Sequence, residues 1–401
     1  MSRGSRRRTS FEDISSYTSG QGYKKKKKGG KKGLTVLLCV LFSLMIVIGG
    51  GLMAVSAFVL DDLTSTSISK DNESLGIDED SNKDDGIINI ALFGVDSREG
   101  ADTFVGRSDA IMVASVDTVH NKIKLTSLLR DAKVYLGDLT PMSDGYDKLN
   151  HAYAYGGPEA AIRTLNQTYD LNIKNYVSVN LSGMAEIVDA FGGVDLDVTD
   201  AEIEQINNNI GGLHHENPDL FDDFANYFQG EAGHVHLNGI QAVAYGRIRN
   251  IDSDNKRAGR QQEILSALLG KLRTVSPMDY PTILSKMMPL VETSLSISDI
   301  IDMAGILLDG FSIERLVIPG EVIPAESGIQ SNGSWMWTYD LDMAAAYIHS
   351  FIYETEYNYV PPVTEESEAP EEIAESSAES SDTEDDSQDD NGEELPSSRD
   401  E

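Results

Sequence analysis

An α/β sandwich around a central sheet, preceded by one transmembrane helix, is the architecture that this 401-residue chain predicts. Three observations predict it. From Leu34 to Leu60 there are 27 positions without a charge, enough to cross a bilayer core with some tilt. Between residues 86 and 360, apolar runs of strand length alternate with longer helical patterns. The segments on either side of that region are too polar to build a core.

Residues 1–33 hold 11 Lys and Arg against 2 acids, show no apolar periodicity, and read as a disordered basic arm. Lys24 to Lys28, Lys31 and Lys32 precede the apolar run, and Asp61 and Asp62 follow it. Positive flanks stay in the cytoplasm, which places the arm inside, the 34–60 helix across the cell membrane as its only pass, and the rest outside. A cleaved signal peptide is the competing reading, but its apolar core runs only about 7–15 residues. Residues 61–85, rich in Ser, Asp and Asn, read as a flexible extracellular stalk.

Ile87 to Val95 is a continuous apolar strand ending at Asp96. Ala110 to Val116 and Lys122 to Leu129 are two more, joined by a turn at His120–Asn121. Pro158 opens a helix carrying Ala161, Leu165 and Thr168 on one side, since proline suits a first helical position. Tyr176 to Asn180 reads as a strand, Leu181 to Phe191 as a helix closed by Gly192–Gly193, and Val194 to Val198 as a strand. Residues 201–236 read as an insertion outside the core. Arg260 to Leu272 is an amphipathic helix burying Ile264, Leu265, Leu268, Leu269 and Leu272. A helix near Ser298 to Leu308, a strand at Arg315 to Ile318 and a helix near Leu341 to Tyr353 complete the extracellular domain, 86–360. Residues 364–401 hold 17 acids against one base, so 361–401 is an acidic disordered tail.

The formal net charge is −34, and no broad basic face is left for sequence-independent nucleic-acid binding. Cys39 is the only cysteine, which excludes an intramolecular disulfide and any multi-cysteine metal site. There is no Walker loop, nucleophile elbow or HExxH zinc motif.

The basic residues of 86–360 number 18, and five of them fall within 14 positions: Arg247, Arg249, Lys256, Arg257 and Arg260. Read as an extended stretch, AVAYGRIRN puts Arg247 and Arg249 on one strand face. Arg257, Arg260 and Gln261 share one face at the start of the next helix, where the helix end adds partial positive charge. Guanidinium forks match phosphate oxygens in pairs, so this arrangement suits a pyrophosphate. Pairing with Asp252 and Asp254 is the competing, purely structural reading.

Three strand ends each carry an Arg and an Asp: Asp96 and Arg98, Arg107 and Asp109, Arg130 and Asp131. Two carboxylates beside a phosphate are the usual way to hold Mg²⁺. Three structural ion pairs at loop mouths are the alternative. Lys148 can reach the same edge, and His234-x-His236 reads as an exposed loop pair before it reads as a zinc site.

Taken together and in order, INIALFGVDSR, GRSDAIMVASVD, KLTSLLRD, KLNHAYAYGG, GGVDLDV and HLNGIQAVAYGRIRNIDSDNKRAGRQQ resemble the LytR-CpsA-Psr family of cell-wall enzymes over about 87–275. The resemblance implies an α/β/α sandwich around a central mixed sheet, with an apolar tunnel for a prenyl chain. It implies a membrane-tethered phosphotransferase that moves a glycopolymer from undecaprenyl pyrophosphate to peptidoglycan or protein. By the same resemblance Asp96 and Asp109 match the magnesium-associated aspartates. Arg107, Arg130, Arg247, Arg249, Arg257 and Arg260 match the pyrophosphate-binding arginines, with Gln261 and Lys148 beside them. Asp131 or another carboxylate is the candidate to accept the hydroxyl proton. Leu129 stands where the family usually has proline before Arg130. A polyprenyl-phosphate-sensing regulator and a hydrolase of pyrophosphate-linked polymer are the rival functions.

Overall fold

Long apolar strands dominate the centre of the molecule. The structure, a computed structural model, describes residues 67–78, 86–97, 104–216, 226–272, 274, 286–296, 311–331, 333–357 and 359–360. In chain order the described elements begin with β1 (Ile87–Asp96), β2 (Arg107–Asp117), β3 (Lys122–Leu128), β4 (Lys133–Tyr135), β5 (Tyr146–Lys148) and α1 (Leu149–Tyr169). They continue with β6 (Asn175–Asn180), α2 (Leu181–Ala190), β7 (Val194–Val198), α3 (Asp200–Glu216), β8 (Gly233–Leu237), α4 (Gly239–Gly246) and α5 (Asp254–Leu272). The last are β9 (Val291–Thr293), β10 (Ser312–Ile318), β11 (Ala325–Ile329), β12 (Trp335–Tyr339) and α6 (Leu341–Tyr353).

Six strands form one mixed sheet in the order β10-β3-β2-β1-β6-β9. β1 runs antiparallel to β2 and parallel to β6, and β10 runs parallel to β3. Side chains alternate between faces, as the pleat requires. Ile90, Ala114 and Val116 join a core covered by α2 to α5, whereas Phe93, Val95 and Val113 join a second core covered by α1 and α6. A sheet with helices on both faces is the expected α/β/α sandwich.

The registers also fix one sheet edge. Asp96 lies opposite Arg107, Val95 opposite Asn180, and Leu128 opposite both Ile111 and Ile318. The end of β1, the start of β2 and the end of β3 therefore meet at the same edge.

Four expectations need correcting. The stalk is not all tether: Ile68, Leu75 and Ile77 are buried in the second core, and Asn166 Nδ2 donates to the Leu75 carbonyl at 2.9 Å. A few well-spaced apolar side chains in a polar run were enough to dock it. Residues 201–216 are not an insertion but α3, whose Ile206, Ile210 and Leu213 are buried. Its start was written in the sequence as a capping box, Thr199 with Glu202, bonded reciprocally at 3.0 and 3.3 Å. Arg247 and Arg249 do not lie on a strand. Asn238 and Gln241 form a second capping box that starts α4, and Arg247 is that helix's C-cap. α5 begins at Asp254, more than one and a half turns before Arg260. The 34–60 helix, the basic arm, Arg98, the helix near 298–308 and the acidic tail lie outside the described residues.

Candidate functional site

The site is built where the strand ends converge. Gly94 pairs with Ala110 but Val95 pairs with Ser108, so Asp109 is the extra residue of a β-bulge in β2. Bulges re-aim side chains beside active sites. Here the bulge delivers Asp109 to Arg130, with which it forms an ion pair, and the Arg249 guanidinium lies 3.7 Å from the same carboxylate.

The loop after β3 is anchored by backbone bonds. The Asn150 amide donates to the Arg130 carbonyl at 3.0 Å, Leu149 to Ala132 at 2.9 Å, and Trp337 to Asp131 at 2.9 Å. α1 and β12 thereby hold Arg130 and Asp131 in place. The Arg130 Nε donates to Asp131 at 3.1 Å, and Lys148 Nζ donates to the other Asp131 oxygen at 2.6 Å. Burial alone would raise the Asp131 carboxyl, but the Lys148 hydrogen bond and the Arg130 charge outweigh it and hold it below the ordinary value.

Arg257 is the most unusual member. It is 4% exposed, its Nε and one terminal nitrogen lack hydrogen-bond partners, and the nearest acid, Asp254, stands 3.3 Å away. Burial first, then the charges of Arg249 and Arg130, push its guanidinium down to about 10. A buried, under-compensated guanidinium beside two others is an anion site waiting for an anion.

Two cavities open beside this cluster. A polar cleft of about 460 Å³ is lined by Arg130, Asp131, Lys148 and Arg249, by the Asp252–Asp254 loop, and by Trp335 and Trp337. An apolar cavity of about 150 Å³ lies between the sheet and α2, α4 and α5, walled by side chains such as Leu92, Val177, Met184, Leu265 and Leu268. Arg247 and Gln261 also line it. Arg249 lines the cleft and Arg247, two residues away, the cavity, while on α5 Asp254 lines the first and Gln261 the second. The same two stretches of chain thus serve both cavities.

The structure brings Asp109, Arg130, Asp131, Lys148, Arg249 and Arg257 together. Asp96 and Arg107 sit at the same edge by strand register. Arg260 goes elsewhere: its Nε donates to Glu202 at 2.8 Å, and its terminal nitrogens bind Asp252. His234 and His236 bond singly to Asp197 and Asp195 at 3.0 and 2.8 Å across the β7–β8 ribbon. The two indoles were missed. Their signal was present, since the chain's only two tryptophans are two residues apart in SWMWTY.

Comparisons with known proteins bear on the family and the fold. The LytR_cpsA_psr family model matches residues 58–349. A polyisoprenyl-teichoic acid–peptidoglycan teichoic acid transferase TagU of Bacillus mycoides is 30% identical over 295 residues, covering 71% of this chain and 87% of that protein. Biofilm regulatory protein A of Streptococcus mutans is 32% identical over 276 residues, covering 67% of this chain and 64% of that protein. Among solved structures, TagT bound to LIIa-WTA superposes with a TM-score of 0.53 at 25% identity, covering 68% of this chain and 93% of the other. A TagT structure with bound octaprenyl pyrophosphate lipid has the same fold, at a TM-score of 0.51 and 22% identity, over 72% of this chain and 99% of the other. With nearly three quarters of its length matched by one family model, and a relative 30% identical over 71% of it, the chain belongs to the LytR-CpsA-Psr family.

Proposed function

We propose that this chain is a membrane-tethered phosphotransferase that moves a glycopolymer from an undecaprenyl pyrophosphate carrier to a hydroxyl of peptidoglycan, or of protein, outside the cell. The observation that carries the reading is that two stretches of chain, residues 247–249 and α5, border both cavities. A guanidinium cluster with spare donors suits a pyrophosphate, and an apolar cavity edged by Arg247 and Gln261 suits the chain attached to it. The TagU relative's name describes the same kind of transfer.

In the reaction, an acceptor hydroxyl oxygen bonds to the phosphorus that carries the glycan. The P–O bond to the other phosphorus breaks, the acceptor's O–H bond breaks with it, and polyprenyl phosphate leaves with the bridging oxygen and takes up the proton. Such a step asks a protein mainly for positioning and charge neutralisation. Arg257 and Arg249 would grip the non-bridging oxygens, and Arg130, oriented by Asp109 and Asp131, would complete the set. Asp131, held low by Lys148 and Arg130, is a poor proton acceptor and serves to position those two cations.

The residues also fit Mg²⁺. Asp96 ends β1 with no described residue bonded to its carboxylate, and Asp109 stands on the neighbouring strand beside Arg130 and Arg249, so both offer the hard oxygen donors that Mg²⁺ takes. Asp96 and Asp109 would hold the ion, which supplies further neutralisation of phosphate charge when bound. Localisation follows from the sequence: residues 34–60 anchor the chain in the cell membrane, and the arm faces the cytoplasm.

The test uses the purified full chain with a labelled glycan on polyprenyl pyrophosphate and peptidoglycan as acceptor. Label should move to the insoluble glycan while polyprenyl phosphate is released, and Arg130→Ala should lose both. Soluble label released without acceptor would identify a hydrolase. Tight lipid binding with no turnover would identify a regulator.

A further inference from the structure

We propose that Trp335 and Trp337 form a sugar-binding subsite beside the phosphate cluster, taking a pyranose ring of the transferred polymer or of the receiving glycan. The proposal rests on the phosphotransferase reading and names the substrate chemistry of one half of its cleft. β12 alternates in and out, so Trp335 and Trp337 project to the same side of the β11–β12 ribbon. Their rings meet edge to face, with centroids 5.6 Å apart and planes 81° apart, and both line the polar cleft. The position is fixed rather than incidental, because Trp337 bridges to Ala132 and donates its backbone amide to Asp131 at 2.9 Å. The indoles are thus tied directly to the loop that carries Arg130.

The chemistry selects the ligand. An aromatic face carries negative charge, so it repels phosphate oxygens and attracts weakly positive C–H groups. A pyranose presents such C–H groups on its faces and hydroxyls around its rim. Asp252, Ser253 and Asp254, in the same cleft, offer hydrogen-bond acceptors to a ring stacked there. The Trp337 Nε1–H is buried and lacks a partner, which leaves one donor for a sugar oxygen. A prenyl chain fits poorly, since it would cover carboxylates without bonding them.

The chain has only these two tryptophans, so its tryptophan fluorescence, excited at the long-wavelength edge where tyrosine does not absorb, reports this cleft. The full chain is titrated with octaprenyl pyrophosphate, with the same lipid carrying a disaccharide, and with a soluble peptidoglycan oligosaccharide. Trp335→Ala should weaken at least one sugar-bearing ligand about tenfold and leave octaprenyl pyrophosphate unchanged, and Trp335→Phe should recover most of the loss. A loss confined to the lipid-linked disaccharide assigns the subsite to the donor. A loss confined to the oligosaccharide assigns it to the acceptor. Unchanged affinity for both sugar ligands overturns the subsite. So does an equal loss for the sugar-free lipid with a lowered melting midpoint, which marks Trp335 as structural. Failure of octaprenyl pyrophosphate to bind the unaltered chain would instead remove the phosphotransferase reading.

Discussion

Two arginines three residues apart on α5 have opposite tasks. Arg260 is held by Glu202 and Asp252 and lies over the Tyr245 ring at 5.7 Å, with all of its guanidinium nitrogens engaged. Arg257 is more deeply buried, yet has spare donors and repelling neighbours. Arg260→Ala should therefore cost about 1–3 kcal/mol of stability, the lower part of the range for a buried pair because its acids are partly exposed. Arg257→Met, which roughly fills the same space, should leave the melting midpoint unchanged or raised, since it removes an under-compensated buried charge. The same substitution should weaken polyprenyl pyrophosphate binding by about 2–5 kcal/mol. Calorimetric melting and lipid titration of both variants separate the roles, and a destabilised Arg257→Met with normal binding would reverse the assignment. The sequence marked both arginines equally because their spacing is helical. Only the packing of α3, which supplies Glu202, distinguishes them.

At the scale of elements, the fold was legible where period and length agreed. β1, β2, β3, β6, α2 and α6 fell within a few residues of expectation, because each is a continuous apolar run or a clear helical stripe between turn signals. The misreadings share a cause. AVAYGRIR alternates well enough to suggest a strand, but two capping-box bonds at Asn238, 2.9 and 3.0 Å, turn it into α4. Short ribbons such as β4–β5 and β11–β12 carry too few residues for a pattern and exist through their tertiary contacts. The helices that wall the apolar cavity support a direct test. Leu265→Trp on α5 should fill it, abolishing octaprenyl pyrophosphate binding while sparing inorganic pyrophosphate. Equal loss of both ligands would show that the tail binds elsewhere. Gly239 starts α4 against α2, and a Cβ there would overlap the Ala185 carbonyl oxygen. Gly239→Ala should cost about 1–3 kcal/mol, read from denaturant melting. At the far end of the sheet, Glu354 accepts from Lys122 and lies 3.1 Å from the fully buried Lys124. Those lysines hold its carboxyl down at about 2. A depressed carboxylate stabilises the fold above its unfolded value of about 4.3, and that contribution is lost as pH falls through the folded one. Glu354→Gln should flatten the acid limb of stability between about pH 4 and pH 2 and leave donor binding intact, as urea melts across that range would show.

For the whole molecule, charge is arranged along the chain rather than over one surface. A basic arm, an uncharged run of 27 residues and an acidic segment follow one another, and the acidic tail adds 17 carboxylates at the other end. The catalytic reading makes this order a requirement. The donor is anchored in the membrane and the acceptor lies outside it, so the cleft must face outward and stay within a tether's reach of the lipid. No nucleotide is needed there, since the pyrophosphate bond supplies the driving force. On that reading, the docking of Ile68, Leu75 and Ile77 leaves few residues between Leu60 and the domain, which would keep the cleft close to the membrane surface. Protease added to intact protoplasts should therefore remove the domain and spare the basic arm, as read with one antibody against each. A domain that survives while the arm is cut would invert the topology and separate the enzyme from its donor. Extending the tether by inserting a flexible Gly/Ser segment of about 30 residues after Asp62 should preserve soluble-substrate turnover and lower transfer from membrane-held donor, because effective concentration falls roughly as the −3/2 power of linker length. Unchanged transfer in the lengthened chain would show that reach is not what limits it.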